Sequence, residues 1–393
     1  MSSEVPEGWS RQKLGDSLIP RPKSKLPSGE SNPLGYYNFY VCSHKVLKSF
    51  HNEYSSPSIL FSTGGEASVH LATERYAFST DVWATEFEGD ICNEYVFRLL
   101  EENIRTINYS GFQGSGIKHL DKSFIEKLEF SIPPLPEQKK IASILTSVDE
   151  VIENTQKQID KLQDLKKSTM NELLTKGIGH TEFKDSELGR IPKSWEVRSL
   201  REIGTFSKGK GISKKDTLQE GLPCIRYAEI YTVYDFYIKT FKSFISPNTA
   251  KSSRKLIKNE IIFAGSGETV EDIGKSVAFT LDCEAYVGGD SVVFSPKIDL
   301  NSIFLSYQLN DNLRRQMLRK LGQGSSVIHI YSSGLQEVLV SIPPMSEQKK
   351  IVSMLVSIRE TIEEKKQERK KLWFLKKSLM QDLLTGKVRV TVN

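Results

Sequence analysis

Cysteine is scarce in this 393-residue chain. The four that occur, Cys42, Cys92, Cys224 and Cys283, stand far apart, with no Cys-x-x-Cys pair. That spacing argues against a zinc site and against a disulfide framework, and it suits a reducing, cytoplasmic compartment. Long apolar runs are missing too: none approaches the roughly 20 residues that a membrane helix needs. The opening, MSSEVPEGWS, has neither the basic stretch nor the apolar core of a secretory signal. Blanket basicity is absent as well. The net charge is +5, distributed as −4 over residues 1–130, −1 over 131–186, +4 over 187–340 and +6 over 341–393. A nucleic-acid surface on such a chain has to be built from local patches. No His-Glu-x-x-His, no close Ser/His/Asp grouping and no Gly-x-Gly between a strand and a helix occurs. The usual signatures of a metallopeptidase, a hydrolase and a dinucleotide-binding fold are therefore lacking.

What the chain does have is a repeat. SIPPLPEQKKI (131–141) returns as SIPPMSEQKKI (341–351), identical at nine of eleven positions with an offset of 210. At the same offset QGSGIKHL (113–120) matches QGSSVIHI (323–330), LKKSTM (165–170) matches LKKSLM (375–380), and Leu173-Leu174-Thr175 matches Leu383-Leu384-Thr385. Upstream, VPEGWSRQKL (5–14) resembles IPKSWEVRSL (191–200) at an offset of 186, so the second copy is 24 residues longer between these framing motifs. Self-similarity of this kind is an architectural signal. The chain reads as globular unit, helix, globular unit, helix: 1–130, 131–186, 187–340 and 341–393.

Each predicted helix follows a Pro-Pro pair, opens near Glu137 or its counterpart, and carries apolar residues at alternating steps of 4 and 3. The row holds Ile141, Leu145, Val148, Ile152, Ile159 and Leu162 in the first copy, and Ile351, Leu355, Ile358, Ile362, Leu372 and Leu379 in the second. Seven of ten row positions are apolar in each, which is a coiled-coil seam with polar interruptions. Gly177 and Gly386 supply the stops. A helix of roughly 39 residues is about 58 Å long. Neither helix buries its stripe alone, and two copies of one unit tend to pair about a pseudo-two-fold axis. The expectation is an antiparallel pair of helices joining two α+β units. Packing of each helix on its own unit is the alternative. Within the units, Ser58–Phe61, Ile261–Ala264 and Ser291–Phe294 read as strands; helices are expected over 91–109 and 302–321.

The two SIPP…EQKKI openings, the two LKKS-x-M helix ends, and GLPCIRYAEI followed by IIFAGSGE resemble the specificity subunit of Type I restriction–modification systems. The resemblance covers nearly the whole chain; the duplicated helix motif is specific, the unit interiors much less so. It implies a subunit that catalyses nothing alone. Each unit would be a target recognition domain reading one half of a split sequence in double-stranded DNA. The helices would set the spacing and dock two methyltransferase subunits. It also implies that S-adenosylmethionine, ATP and Mg sit on partner subunits, including restriction subunits, and none in this chain. The residues agree: the Asn/Asp-Pro-Pro-aromatic tetrapeptide of amino-methyltransferases does not occur, and Asn32-Pro33-Leu34-Gly35 is its nearest approach. A duplicated reader with unlike interiors suits two different half-sites. A stand-alone DNA-modifying enzyme and a coiled-coil structural protein are the competing classes.

Candidate DNA contacts follow from loops rich in Gly, Ser and Lys. GTFSKGKG (204–211) nearly spells a phosphate-binding loop, but Gly211 stands where Ser or Thr must hold Mg²⁺. Lys208, Lys210, Lys214 and Lys215 make it a basic loop suited to DNA phosphates, or simply a solvated one. Thr63, Gly64 and Gly65 in STGGEAS, and Ser266 in GSGETVE, follow apolar strands, where Gly permits close approach to bases. An ordinary turn has the same composition. Gln113, Ser115 and Lys118 in one copy, and Gln323 and Ser325 in the other, recur in register together with His119 and His329. A position shared by both readers suits a backbone contact to DNA or a structural role better than base reading. Arg226 and Tyr227 offer a guanidinium and a ring for stacking or pairing with nucleic acid; a surface Arg on a strand is the alternative.

Overall fold

The computed structural model of the chain describes residues 5–55, 57–324 and 327–391. It divides into two compact units: Met1–Gln158 with Lys365–Asn393, and Ile159–Glu364. Each unit thus combines one globular part with a half of each long helix.

In the first unit Ser58–Ser62 is the centre of an antiparallel sheet ordered Leu18–Pro20, Val82–Phe87, Ser58–Ser62, Val69–Ala72. All five residues of that central strand are buried, because both its faces are covered. Alternate side chains point to opposite faces of a strand. Ile59 and Phe61 accordingly join Tyr95, Val96, Leu99 and Leu100 of the helix Asn93–Glu102. Leu60 joins Tyr40, Tyr76 and Phe78 of a second sheet, ordered Leu47–Ser49, Tyr37–Tyr40, Tyr76–Phe78.

The second unit has the same plan. Its antiparallel sheet runs Gly204–Lys208, Ser291–Pro296, Glu260–Ala264, Ser276–Phe279. Ile261 and Phe263 face Leu305 and Leu309 of the helix Ser302–Leu309. Ile262 and Ala264 face the opposite way, onto Val287 and Ile225 of a sheet ordered Ser243–Ile245, Leu222–Ile225, Tyr286–Val287, Arg254–Lys255. In both second sheets one neighbour of the central strand is antiparallel and the other parallel. The interiors therefore share a topology that their sequences do not reveal. The additional residues of the second copy go largely into 226–242 and 246–259, which carry the short helices Tyr227–Thr232 and Pro247–Ser252.

The framing motifs pair with each other. Ser10–Lys13 lies antiparallel to Glu129–Ile132, and Glu196–Ser199 to Leu339–Ile342. The repeated segments at the two ends of each globular part are thus one strand pair that closes it.

The long helices span Leu135–Lys176 and Met345–Leu384, starting two residues before the expected glutamates. Every position of the two 4–3 rows, from Ile141 to Leu173 and from Ile351 to Leu383, is buried or half-buried. Within the first unit Asp149 of one helix pairs with Lys376 of the other at 2.9 Å, and Glu137 with Arg389 just past its end, so the helices run antiparallel there. Within the second, Leu173 and Leu174 pack with Ile351 and Leu355 in the opposite chain direction. The helices expected over 91–109 and 302–321 are each broken in two, at Asn103 and at Asn310-Asp311. The cause is the same in both: the Asn amide donates to the carbonyl four residues back, Leu99 or Ser306, at 2.8 Å, and ends the helix.

Candidate nucleic-acid interface

The site is built where the central strand of each unit ends. In the first unit Phe112-Gln113 and His119-Leu120 form a hairpin, with Gln113 opposite His119. The preceding strand ends at Ser62, and its continuation lies along this hairpin: Gly65 donates its N–H to the Lys118 carbonyl at 2.9 Å, and Leu120 to that of Thr63 at 3.1 Å. The fold thus brings Thr63, Gly64, Gly65, Gln113, Ser115 and Lys118 together. Gln113, Ser115 and Lys118 are exposed, as is Gly65, whose φ of +82° only Gly adopts easily. The Thr63 hydroxyl is engaged, donating to the Asp81 carbonyl at 2.7 Å.

The second unit repeats the arrangement. Gln323 and His329 exchange two main-chain hydrogen bonds, and Ser266-Gly267 pairs with Ile328-His329. Ser266 is buried and its Oγ lies 2.8 Å from His329 Nδ1, so here the serine braces the hairpin. Ser325 lies outside the described residues. Lys208 ends its strand opposite Val292, at the sheet end where Ala264 meets Ser291. Lys210 donates its N–H to the Val287 carbonyl, and Gly288 donates to that of Ile225, next to Arg226. Lys208, Lys210, Arg226, Ser266 and Gln323 are therefore collected at one end of this unit. The GTFSKGKG segment does not open an α-helix: the single 3-10 turn Lys214–Asp216 comes next, then the strand Leu222–Ile225. Lys214 and Lys215 are exposed on that turn, capped by Ser213 and Asp216. The Asp216 carboxyl is held below its usual range by the Ser213 hydroxyl and N–H.

Arg226 is not a strand residue. It caps the helix Tyr227–Thr232, and its Nε donates to Glu229 at 3.2 Å. Glu229 is buried and also accepts from Ser243. This satisfied pair orients the guanidinium, which stays partly exposed. The ring of Tyr227 lies tilted against Tyr231, with centroids 6.4 Å apart.

The duplicated EQKK segment has its own geometry. Gln138 takes the Cys92 N–H on its carbonyl and donates to Asp90 and Pro133; Gln348 takes that of Asn301 and donates to Pro343. Glu347 accepts from the Trp195 indole at 3.1 Å and the Ile178 N–H at 3.0 Å, and lies 2.7 Å from His180. Glu137, its counterpart, is bridged by Arg389, whose guanidinium stands 5.7 Å from the centre of the Trp9 ring. Each helix start is thereby locked to the globular part of its own unit and to the segment following the other helix. Sequence reasoning treated these residues only as a repeated motif. Their duplicated Glu-Gln next to a buried apolar row was the signal available, since helix openings are ordinarily solvated.

No group of His, Cys, Asp and Glu suited to a metal ion occurs among the described residues, and no helix among them is long and apolar enough to cross a membrane. The model of the Type I restriction modification DNA specificity domain matches residues 6–164 and again 192–372. The chain belongs to this family. Its Type I specificity relatives include the MjaVIII specificity subunit of Methanocaldococcus jannaschii, 29% identical over 98% of this chain and 94% of that one. The EcoKI specificity subunit of Escherichia coli is 24% identical over 51% of this chain and 44% of its own. Among solved structures, the Type I S subunit from M. genitalium superposes with a TM-score of 0.64, at 15% identity and 98% coverage of both chains. The two domain matches are the two copies of the repeat, and the α+β fold with its long helices is that of Type I specificity subunits. Membership also meets the expectation of a non-catalytic recognition subunit.

Proposed function

We propose that this chain reads an asymmetric, two-part sequence in double-stranded DNA, one part with each unit, and that its long helices dock two methyltransferase subunits. One observation carries the reading. Two units of one topology each present a glycine-containing loop braced by a hairpin at the same sheet end, while around the shared Gln, Ser and His the side chains differ, STGGEAS against GSGETVE and Lys118 against Ile328. Equal scaffolds place both readers on a duplex in the same way, and unlike side chains read different bases. Arg226 and Lys208 would serve the second half-site and Lys118 the first, with the shared Gln113 and Gln323 positioning each unit on the duplex. S-adenosylmethionine belongs to the methyltransferase subunits, and ATP and Mg to restriction subunits where these join. The test is to map methylated bases in host DNA carrying this chain with its methyltransferase. A two-part sequence with unlike halves is expected. Methylation unchanged when this chain is deleted would refute the reading.

A further inference from the structure

The hairpins carry a feature that base reading does not use. Their tips end in apolar, β-branched side chains in register: Ile117, 73% exposed, and Val327, 48% exposed. Neither contributes to a core cluster of its unit. The tip backbones match as well. Gly114 and Gly324 adopt φ of +136° and +119°, and a Cβ on either would collide with the carbonyl oxygen of Ile117 or Val327. Each of these two positions thus has a conformation and a close approach that only Gly accommodates without strain. Both are braced from the central strand, by the Gly65–Lys118 bond in one unit and by the Ile330 N–H on the Gly265 carbonyl in the other, each 2.9 Å. In both units a hairpin braced from the central strand thus holds an apolar, β-branched side chain in water at the same position of the repeat.

We propose that Ile117 and Val327 are apolar contacts to the duplex, one per half-site, packing on deoxyribose faces and base steps in a groove. This deepens the DNA-reading role proposed above and rests on it. Exposed Lys118 and Gln113 flank Ile117 in the first hairpin, and exposed Lys208 lies at the sheet end from which the second hairpin is braced, so each unit has a basic side chain suited to phosphate on the side of the molecule that carries its tip. A β-branched side chain has a stiff first torsion and loses little freedom when it packs. Apolar side chains pressed against base steps and sugars are an established way for proteins to engage a groove. The readers differ in their polar side chains but not in the chemistry of their tips. The tips therefore set depth and register, the same task in both halves.

The experiment uses the full chain assembled with its methyltransferase subunits and a duplex bearing the mapped target. Ile117→Ser and Val327→Ser are each expected to weaken binding about tenfold, and the pair about a hundredfold, with unchanged melting temperature and assembly. Ile117→Leu, which keeps the apolar surface, is expected to stay within about twofold of the parent. Serine variants that bind the target as the parent does overturn the proposal and leave the DNA-reading role intact. Serine variants that melt lower or fail to assemble also overturn it, since the tips then serve the protein's own structure. If the parent complex itself discriminates no duplex, the DNA-reading role falls, and this inference with it.

Discussion

Arg389 donates from Nε and Nη2 to the two carboxylate oxygens of Glu137, each at 2.8 Å, and from Nη1 to the Glu7 carbonyl at 2.6 Å. Three distant stretches of chain, the start, the opening turn of the first long helix and the segment after the second, meet at one guanidinium. Arg389→Ala is expected to lower the melting temperature and to expose the region around Trp9 to hydrogen exchange. Arg389→Lys, unable to bridge both oxygens, is expected to recover only part of the loss. An Ala variant that melts with the parent would contradict this.

The same pair gives a pH dependence. The Arg389 guanidinium holds the Glu137 carboxyl below its ordinary value of 4.5, against the opposing effect of burial. A carboxylate with a depressed folded pKa contributes stability above its unfolded pKa, and that contribution is lost as pH falls through the folded value. The melting-temperature gap between the parent and Arg389→Ala is therefore expected to be constant near neutrality and to narrow below about pH 4.5. A gap that widens on acidification would show that the pair is not the source.

Gly177 follows the first long helix at φ +66°, and a Cβ there would collide with Glu347 and the Trp195 ring. Gly179, at φ +72°, has open space around it. Ala at either position strains the backbone by about 1–3 kcal/mol. Only Gly177→Ala also breaks packing at the buried Trp195, so it is expected to be clearly the more damaging of the two in chemical denaturation.

The helical row is testable by contrast. Leu145 lies on it and is fully buried, whereas Leu165 lies off it and is 49% exposed. Leu145→Ala is expected to cost about 2–5 kcal/mol, and Leu165→Ala within about 0.5 kcal/mol of nothing. Equal costs would show that the 4–3 spacing does not mark the buried face.

Exchange of residues 15–130 for the matching part of another specificity subunit is expected to alter one half of the methylated sequence and leave the other unchanged. The junctions fall at the strand pair Ser10–Lys13 and Glu129–Ile132, which closes the reader on itself. Methylome mapping decides the outcome, and simultaneous change in both halves would refute independent reading.

The amino-acid sequence by itself determined the repeat, the two long helices and their buried rows, because a 4–3 apolar spacing and a following Gly are written in consecutive residues and need no distant partner. It also marked the loops at 62–68 and 265–271 and the two hairpins as candidate contacts, through turn composition and recurrence. Only the tertiary structure decided that the unlike interiors share one topology, since strand order depends on pairings such as Ser58–Ser62 with Val82–Phe87, which no local pattern encodes. It alone assigned Ser266 to His329 and Arg226 to Glu229, turning two presumed free contacts into braced or oriented groups. And it alone explained why EQKK is repeated. A buried carboxylate and amide require partners, and those of Glu137 and Glu347 come from segments that only folding brings to the helix start.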